Sequence, residues 1–410
     1  MRILELYGED YPWDVRVEKL LTGLAGGGHE CHLLCRNLKR RPLREKSGEI
    51  HCHRVLPPES SSIVHKALSL PSPVNLLWYR ALKRVHAEAA PELIIVRDLP
   101  LAPLGIFFGR RHGIPVLIDF AENHPAMWDN VLASDRFPVR SWLMKNPTLA
   151  RRMEKKVVGQ ADMMFVVVEE MRDHLLALGA DPERIRIVSN TPPLRSMPDG
   201  HGETASGDKD LKLVFVGNLT RNRGLQQVLK AMAGLPAGGP GATFDIVGSG
   251  DYAGTLADLA GELGIADQVV FHGWVDNTRI PDLIGHCNVG VIPHLKTEHT
   301  DTTIPNKLFD FMALGLPVLV SDADPLRRIV DEEDCGTHFR CGDTKSLIDA
   351  LLTFQSPDRR RLQGTNGRQG VEKRYHWEFD LAVAREAVGG LVSPVDGTRS
   401  SARTTLEAGD

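Results

Sequence analysis

Cysteine is scarce in this chain, with six residues in 410, and a disulfide framework is excluded at that density. No secretory leader precedes the first strand-like run (residues 2–6), and no apolar stretch reaches the ~20 residues that a spanning helix needs. The expected location is therefore cytoplasmic. CxxC spacing is missing as well. Cys31, His32, Cys35, His51, Cys52 and His53 fall instead on two alternating patterns, CHLLC and IHCHRVL, so packing between strands is favoured over a zinc cluster. Nor is there a large excess of one charge. The net value of −4 divides into +4 over residues 1–190 and −8 over the remaining 220, and no nucleic acid partner is expected.

What is present is ordinary for a soluble enzyme: 42% hydrophobic residues, 38 Gly and 26 Pro. A chain of 410 residues exceeds one core, which implies two domains. Basic residues concentrate in RNLKRRPLREK (36–46) and mix with Phe137, Trp142, Leu143 and Met144 over residues 136–156. A solvated surface is the favoured reading of both runs. The sharper alternative is peripheral docking on an anionic membrane face, at about 1 kcal/mol per basic residue.

Short apolar runs alternate with helical patterns throughout. In the first half they cover residues 3–8, 30–35, 50–56, 92–98, 115–120, 163–168 and 184–190. In the second half they cover 212–218, 243–249, 268–274, 288–293, 316–322 and 337–342. Continuous apolar strands separated by helices predict two doubly wound α/β domains with parallel sheets, whose ligands bind beyond the carboxyl ends of the strands. The expected division is 1–190 and 212–375, joined by a Pro-, Gly- and Ser-rich linker over 191–211. A last helix at 376–392 is expected to pack back on the first domain, ahead of a disordered tail at 393–410.

The most informative stretch is TDTTIPNKLFDFMALGLPVLVSD, residues 300–322. A Thr-rich loop enters a helix at Ile304-Pro305-Asn306, the helix ends at Gly315, and a buried strand follows. The unpaired amides of its first turn suit a diphosphate, and Asp310, two turns below Thr302, suits the hydroxyls of a ribose. A diphosphate beside a hydroxylated ring describes a sugar nucleotide.

Other loops support two readings each. GNLTRNRG (217–224) offers a glycine turn with Arg221 and Arg223 for a phosphate, or a solvated βα loop. Gly248-Ser249-Gly250 reads as a tight turn in preference to a nicotinamide site, because its spacing is GxGxxxG. FHGWV (271–275) could read a nucleobase edge through its backbone, or simply end a buried strand. Asp322-Ala323-Asp324 is read as a helix cap in preference to a metal site. In the first half, Asp14 suits an N-cap beside Arg16, and Asp98, Glu122 and His124 sit at strand tips, where polar clusters are often functional.

In order along the chain, Arg2-Ile3-Leu4, the loop at residues 14–17, Gly28-His29-Glu30, DFAEN, FVGNLTRNRG, VGSG, FHGWV and PNKLFDFMALGLPVLVSD resemble the retaining glycosyltransferases of family four, which have the GT-B fold. The resemblance runs from Met1 to about Leu391. It implies metal-independent transfer of a sugar from a UDP-, GDP- or dTDP-sugar to a carbohydrate or lipid-linked acceptor, in polysaccharide or glycolipid synthesis, with no cofactor. Carried over residue by residue, it gives Arg223 and Lys307 the leaving diphosphate, with Glu122 and His124 near the donor sugar. Gly217, Asn218, Arg221, Gly248, Trp274, Val275, Thr302, Thr303, Ile304 and Asp310 fall to the donor, and Asp14, Arg16 and Asp98 to the acceptor. The family's two glutamates separated by seven residues are here Thr302 and Asp310, and its strand-tip His is Ala121. A sugar-nucleotide epimerase and a catalytically silent nucleotide-binding module are the alternatives.

Overall fold

The computed structural model describes residues 1–12, 14–56, 75–134, 145–194, 209–276 and 279–392. The middle of the expected linker, the expected tail and all of residues 136–144 lie outside the described residues. Two sheets organise the chain. The first contains β1 (Arg2–Asp10), β2 (Glu30–Arg36), β3 (Arg44–Ser47), β4 (Ile50–Arg54), β5 (Leu93–Arg97), β6 (Val116–Phe120), β7 (Met163–Val166) and β8 (Ile185–Ile187), in the order β3-β4-β2-β1-β5-β6-β7-β8. The second contains β9 (Leu211–Val216), β10 (Ala242–Val247), β11 (Val269–Gly273), β12 (Val289–Ile292), β13 (Val318–Ser321) and β14 (Gly336–Phe339), in the order β11-β10-β9-β12-β13-β14.

Both sheets have the strand switch of a doubly wound fold, with β1 and β9 as the first strands and neighbours on either side. Ile3, Leu4 and Leu6 of β1 are fully buried because helices cover both faces, and this is why such strands read as unbroken apolar runs. Helix α1 (Val15–Ala25) buries Val17, Leu20, Leu21 and Leu24, a single stripe at helical spacing. Asp14 caps it, its Oδ1 accepting from the amides of Arg16 and Val17 at 2.9 Å each.

One strand was not expected. β3 pairs antiparallel with β4 inside the basic run, where its charges find partners within the chain. Arg44 pairs with Glu88, Arg36 with Glu9, and Arg41 and Arg54 both with Glu45. In the second run, Arg151 pairs with Asp129 and Glu298. The three cysteines of the first sheet are buried, and His32 bonds His53 at 3.2 Å across neighbouring strands.

In chain order the other helices are α2 (Leu76–Ala89), α3 (Ala102–His112), α4 (His124–Ser134), α5 (Pro147–Val158), α6 (Glu169–Ala177), α7 (Leu225–Ala233), α8 (Ala253–Glu262), α9 (Ile280–Ile284), α10 (Lys307–Ala313), α11 (Asp324–Glu333), α12 (Thr344–Thr353), α13 (Pro357–Lys373) and α14 (Trp377–Val392). The last of these packs on the first sheet's side of the molecule. Leu381 fills the space a side chain at Gly23 would need, with Leu381 Cδ1 2.5 Å from where that Cβ would stand. Asp380 accepts from the Ser189 amide at 3.0 Å and from the Thr191 hydroxyl at 2.5 Å. Among the described residues no helix is long and apolar enough to cross a membrane.

Candidate active site in the interdomain cleft

Between the two sheets lies a cleft of about 630 Å³. Its walls are the carboxyl ends of parallel strands, where this fold leaves loops free to carry chemistry. From the first domain come Asp14, Arg16, Arg97, Glu122 and Asn130, and from the second come Gly217, Thr220, Arg223, His294, His299, Thr303, Ile304 and Lys307.

Glu122 follows β6 and reaches across the cleft. Its Oε2 accepts a hydrogen bond from His299 Nε2 at 2.7 Å, and its side chain keeps 41% exposure. Burial alone would raise its pKa, but the hydrogen bond and charge of His299, then Arg97 and His124, pull it below the ordinary glutamate value. It is an ionised carboxylate facing the cavity.

Arg223 closes the 3₁₀ turn Arg221–Arg223 after β9. Its Nη1 donates to His294 Nε2 at 3.1 Å. Burial, then the charges of Arg223 and His299, push His294 down to about 3, so the imidazole is neutral and its Nε2 is free to accept. Burial also lowers the pKa of Arg223, while the charge of Glu122 acts the other way; a guanidinium stays protonated regardless. The turn that presents Arg223 requires glycine. Gly224 has φ +75°, and a Cβ there would stand 1.8 Å from the Pro293 carbonyl oxygen.

On the floor of the second domain α10 begins at Lys307, three residues after the expected entry, with Asn306 before it. Pro305 precedes the helix instead of sitting inside its first turn. Lys307 lines the cleft and its Nζ bonds Asp310 Oδ2 at 2.9 Å. Asp310 lies just outside the lining. Thr302 is turned away from the cavity: it is buried, its hydroxyl bonds the Glu298 carbonyl at 2.9 Å and accepts from Asn123 Nδ2 at 3.1 Å. Thr302, expected at the donor, thus joins the domains instead.

Several other expected site residues lie off the cleft wall. Gly248 is a point of close backbone approach, where a Cβ would meet the Gly217 carbonyl oxygen at 1.8 Å. Asn218 and Arg221 are exposed, Trp274 is 74% exposed beyond β11, and Val275 is half-buried. His124 is buried behind Glu122, its Nδ1 3.4 Å from the Glu122 carbonyl and 4.0 Å from Asp98. Asp98 accepts from the amides of Ala121 and Glu122 at 3.1 and 3.2 Å, and so shapes the loop that carries Glu122. Burial raises its pKa against the pull of Arg97. Arg16 lines the cleft, yet its three guanidinium nitrogens are occupied. Two bind Asp119 at 2.5 and 2.8 Å and one binds the Ser189 carbonyl at 3.2 Å.

Asp322 and Asp324 are also engaged. Asp322 accepts from the Cys341 amide, and Asp324 binds Lys296 at 2.8 Å. Asp322 does not cap α11 as expected; the Asp324 amide donates to Asp301 Oδ1 at 3.0 Å instead. His294, His299 and Asn123 were not singled out from the sequence. A polar residue at the end of an apolar strand is the signal that marks His294, since it closes the run VGVIP.

Comparison with known proteins agrees with this geometry. The glycosyl transferases group 1 family matches residues 198–369, and the glycosyl transferase 4-like domain matches residues 14–191. An uncharacterised glycosyltransferase of Methanocaldococcus jannaschii is 28% identical over 44% of this chain and 44% of its own length. A phosphatidyl-myo-inositol mannosyltransferase of Mycobacterium leprae is 27% identical over 55% and 58%. The chain therefore spans about half the length of these curated relatives. Among solved structures, sucrose-phosphate synthase from Thermosynechococcus elongatus superposes with a TM-score of 0.75 at 20% identity, covering 95% of this chain and 98% of that one. Anabaena HepE in complex with UDP-glucose gives 0.66 at 14% identity, covering 95% and 100%. Two parallel-sheet domains around a loop-lined cleft, with a family match on each half, place the chain in the group 1 glycosyltransferases, an enzyme family of GT-B fold.

Proposed function

We propose that the chain transfers a sugar from a nucleotide-sugar to a hydroxyl of a carbohydrate or lipid-linked acceptor, with retention of anomeric configuration and without a catalytic metal. The observation that carries this reading is the opposition of charges in one cleft. Arg223 and Lys307 stand on the second-domain wall, and the ionised Glu122 reaches over from the first. Cations on one side suit a departing diphosphate, and a carboxylate on the other suits the positive charge that develops at the anomeric carbon. The solved complexes of HepE with UDP-glucose and the mannosyltransferase name of the M. leprae relative support a nucleotide-sugar as donor.

In this reading the diphosphate rests against Arg223, Lys307 and the first amides of α10. Asp310, held by Lys307, takes the ribose hydroxyls. The acceptor enters from the side of Asp14. Its oxygen bonds the anomeric carbon on the face from which the diphosphate departs, and its proton passes to the departing phosphate oxygen. Asp322 and Asp324, the carboxylates that most resemble a metal pair, are held by Cys341 and Lys296, so neutralisation falls to Arg and Lys. Closure of the domains keeps water from competing as acceptor.

Thermal-shift screening against UDP-, GDP- and dTDP-sugars tests this reading. The correct donor at 100 times its dissociation constant adds about 2.7 kcal/mol of stability. Incubation with that donor and an acceptor then yields a glycoside of unchanged anomeric configuration. Formation of an epimerised sugar nucleotide without any acceptor would overturn the proposal.

A further inference from the structure

Away from the cleft, on the second sheet, four side chains converge that take no part in the site above. Asp245 lies on β10 opposite Val214 of β9 and Val270 of β11. His272 follows Val270 by two residues on β11 and therefore shares a face with it. His286 and Cys287 form the turn between α9 and β12. That turn is held to α9 by the Cys287 amide, which donates to the Ile284 carbonyl at 2.9 Å, and to β9 and the residue before it by the Asn288 amide and side chain, which bond Lys212 and Asp210.

The distances define one face of a small polyhedron. Asp245 Oδ2 is 3.1 Å from His286 Nε2 and 3.7 Å from Cys287 Sγ, and the latter two are 3.7 Å apart. Bonds of ~2.0–2.3 Å from a central ion to tetrahedral N, O and S ligands separate those ligands by about 3.3–3.6 Å. The observed triangle is close to that figure on every edge. The other carboxylate oxygen, Oδ1, is taken by His272 Nε2 at 2.6 Å, as expected of an outer residue that fixes a ligating carboxylate. Asp245 and Cys287 are buried, while His286 is 56% exposed and leaves an entry path. Hydrogen bonding alone explains the two histidines on Asp245 but gives the thiol only two weak contacts at 3.7 Å.

We propose that Asp245, His286 and Cys287 bind one borderline-soft divalent cation of the zinc class, with His272 positioning the carboxylate. A thiolate and an imidazole in one set disfavour magnesium and calcium, which take oxygen ligands. Binding replaces the thiol proton of Cys287 by the metal and releases that proton to solvent. The ion ties β10 to the turn before β12, and its site is distinct from the transfer cleft, whose lining includes none of the four residues.

The test is titration of the full, tag-free chain with Co²⁺ followed by Zn²⁺, read by absorption and calorimetry. One equivalent of Co²⁺ is expected to give a thiolate-to-cobalt charge-transfer band, with proton release, and Zn²⁺ is expected to abolish the band. Cys287→Ser removes the band. His286→Ala, at an exposed position that leaves the fold intact, removes the stoichiometric binding. His272→Ala keeps the band but weakens affinity about 10- to 100-fold. Absence of the band in the unmodified chain, or its persistence in Cys287→Ser, overturns the proposal; so does unchanged binding in His286→Ala.

Discussion

At the tip of β12, His294 presents an unprotonated nitrogen to Arg223, and the guanidinium lines the cleft bonded to a neutral imidazole. In the proposed transfer, a cation held in this way strengthens its hold on the diphosphate as negative charge develops. Arg223→Ala is expected to lower kcat about 10²–10³-fold at saturating donor, which corresponds to roughly 2.7–4 kcal/mol of transition-state stabilisation. Steady-state kinetics check this, and turnover intact at saturating donor would remove Arg223 from the mechanism. Glu122 behaves oppositely with pH. Its carboxyl is held below the ordinary range by His299, so the acidic limb of the kcat/KM profile falls below the usual glutamate value. In His299→Ala the limb moves up toward that value; an unmoved limb would show that another group titrates. Arg223, Glu122 and Lys307 were legible because each stands in a polar loop directly after an apolar strand or at a helix start. The pairing of Arg223 with His294 and of Glu122 with His299 was not, because a hydrogen bond between residues 71 or 177 positions apart leaves no local pattern.

The elements themselves were largely readable. Period-2 and continuous apolar runs mark thirteen of the strands to within a few residues, and α1 was anticipated at its observed bounds. The unanticipated strand, β3, has the sequence REKS and carries no apolar signal at all; it exists because its backbone completes the edge of β4 and its side chains meet Glu88 and β4 residues. The start of α10 came three residues late for a similar reason, since the loop before it is held by bonds to its own carbonyls and to Asn123. The loop that carries Arg223 depends on glycine in a stricter way. Gly224→Ala forces a side chain into a left-handed backbone and against the Pro293 carbonyl, at a cost of about 3 kcal/mol or more. Chemical denaturation measures that loss, and the displaced Arg223 lowers activity in whatever fraction remains folded.

Across the whole molecule the domains share one buried apolar cluster, which includes Met171 and Leu175 of the first and Leu326 and Ile329 of the second, and polar contacts join them as well. Asn123 bonds Thr302, Asn130 bonds Thr297, and Arg328 bridges to Glu169 and Glu170. The C-terminal helix α14 ties the chain's end to the first sheet through Asp380. Burial pushes this carboxyl up to about 6 from an ordinary 3.8, against the lowering effect of bonds from Thr191 and Ser189. The folded chain therefore keeps a proton that the unfolded chain has already lost, and the stability contribution of Asp380 falls as pH rises from about 4 to 6. Asp380→Asn is expected to flatten that part of a plot of stability against pH, and an unchanged slope would show the group is not responsible. Which side chains make these long-range ties could not be read from sequence periodicity, which reports local structure only.

The most direct measurement is a crystal structure of the chain with its nucleotide-sugar donor. The diphosphate is expected between Arg223 and Lys307 against the start of α10, with the sugar facing Glu122. A nucleotide bound elsewhere, with Arg223 still on His294 and the cleft filled by solvent, would contradict the account.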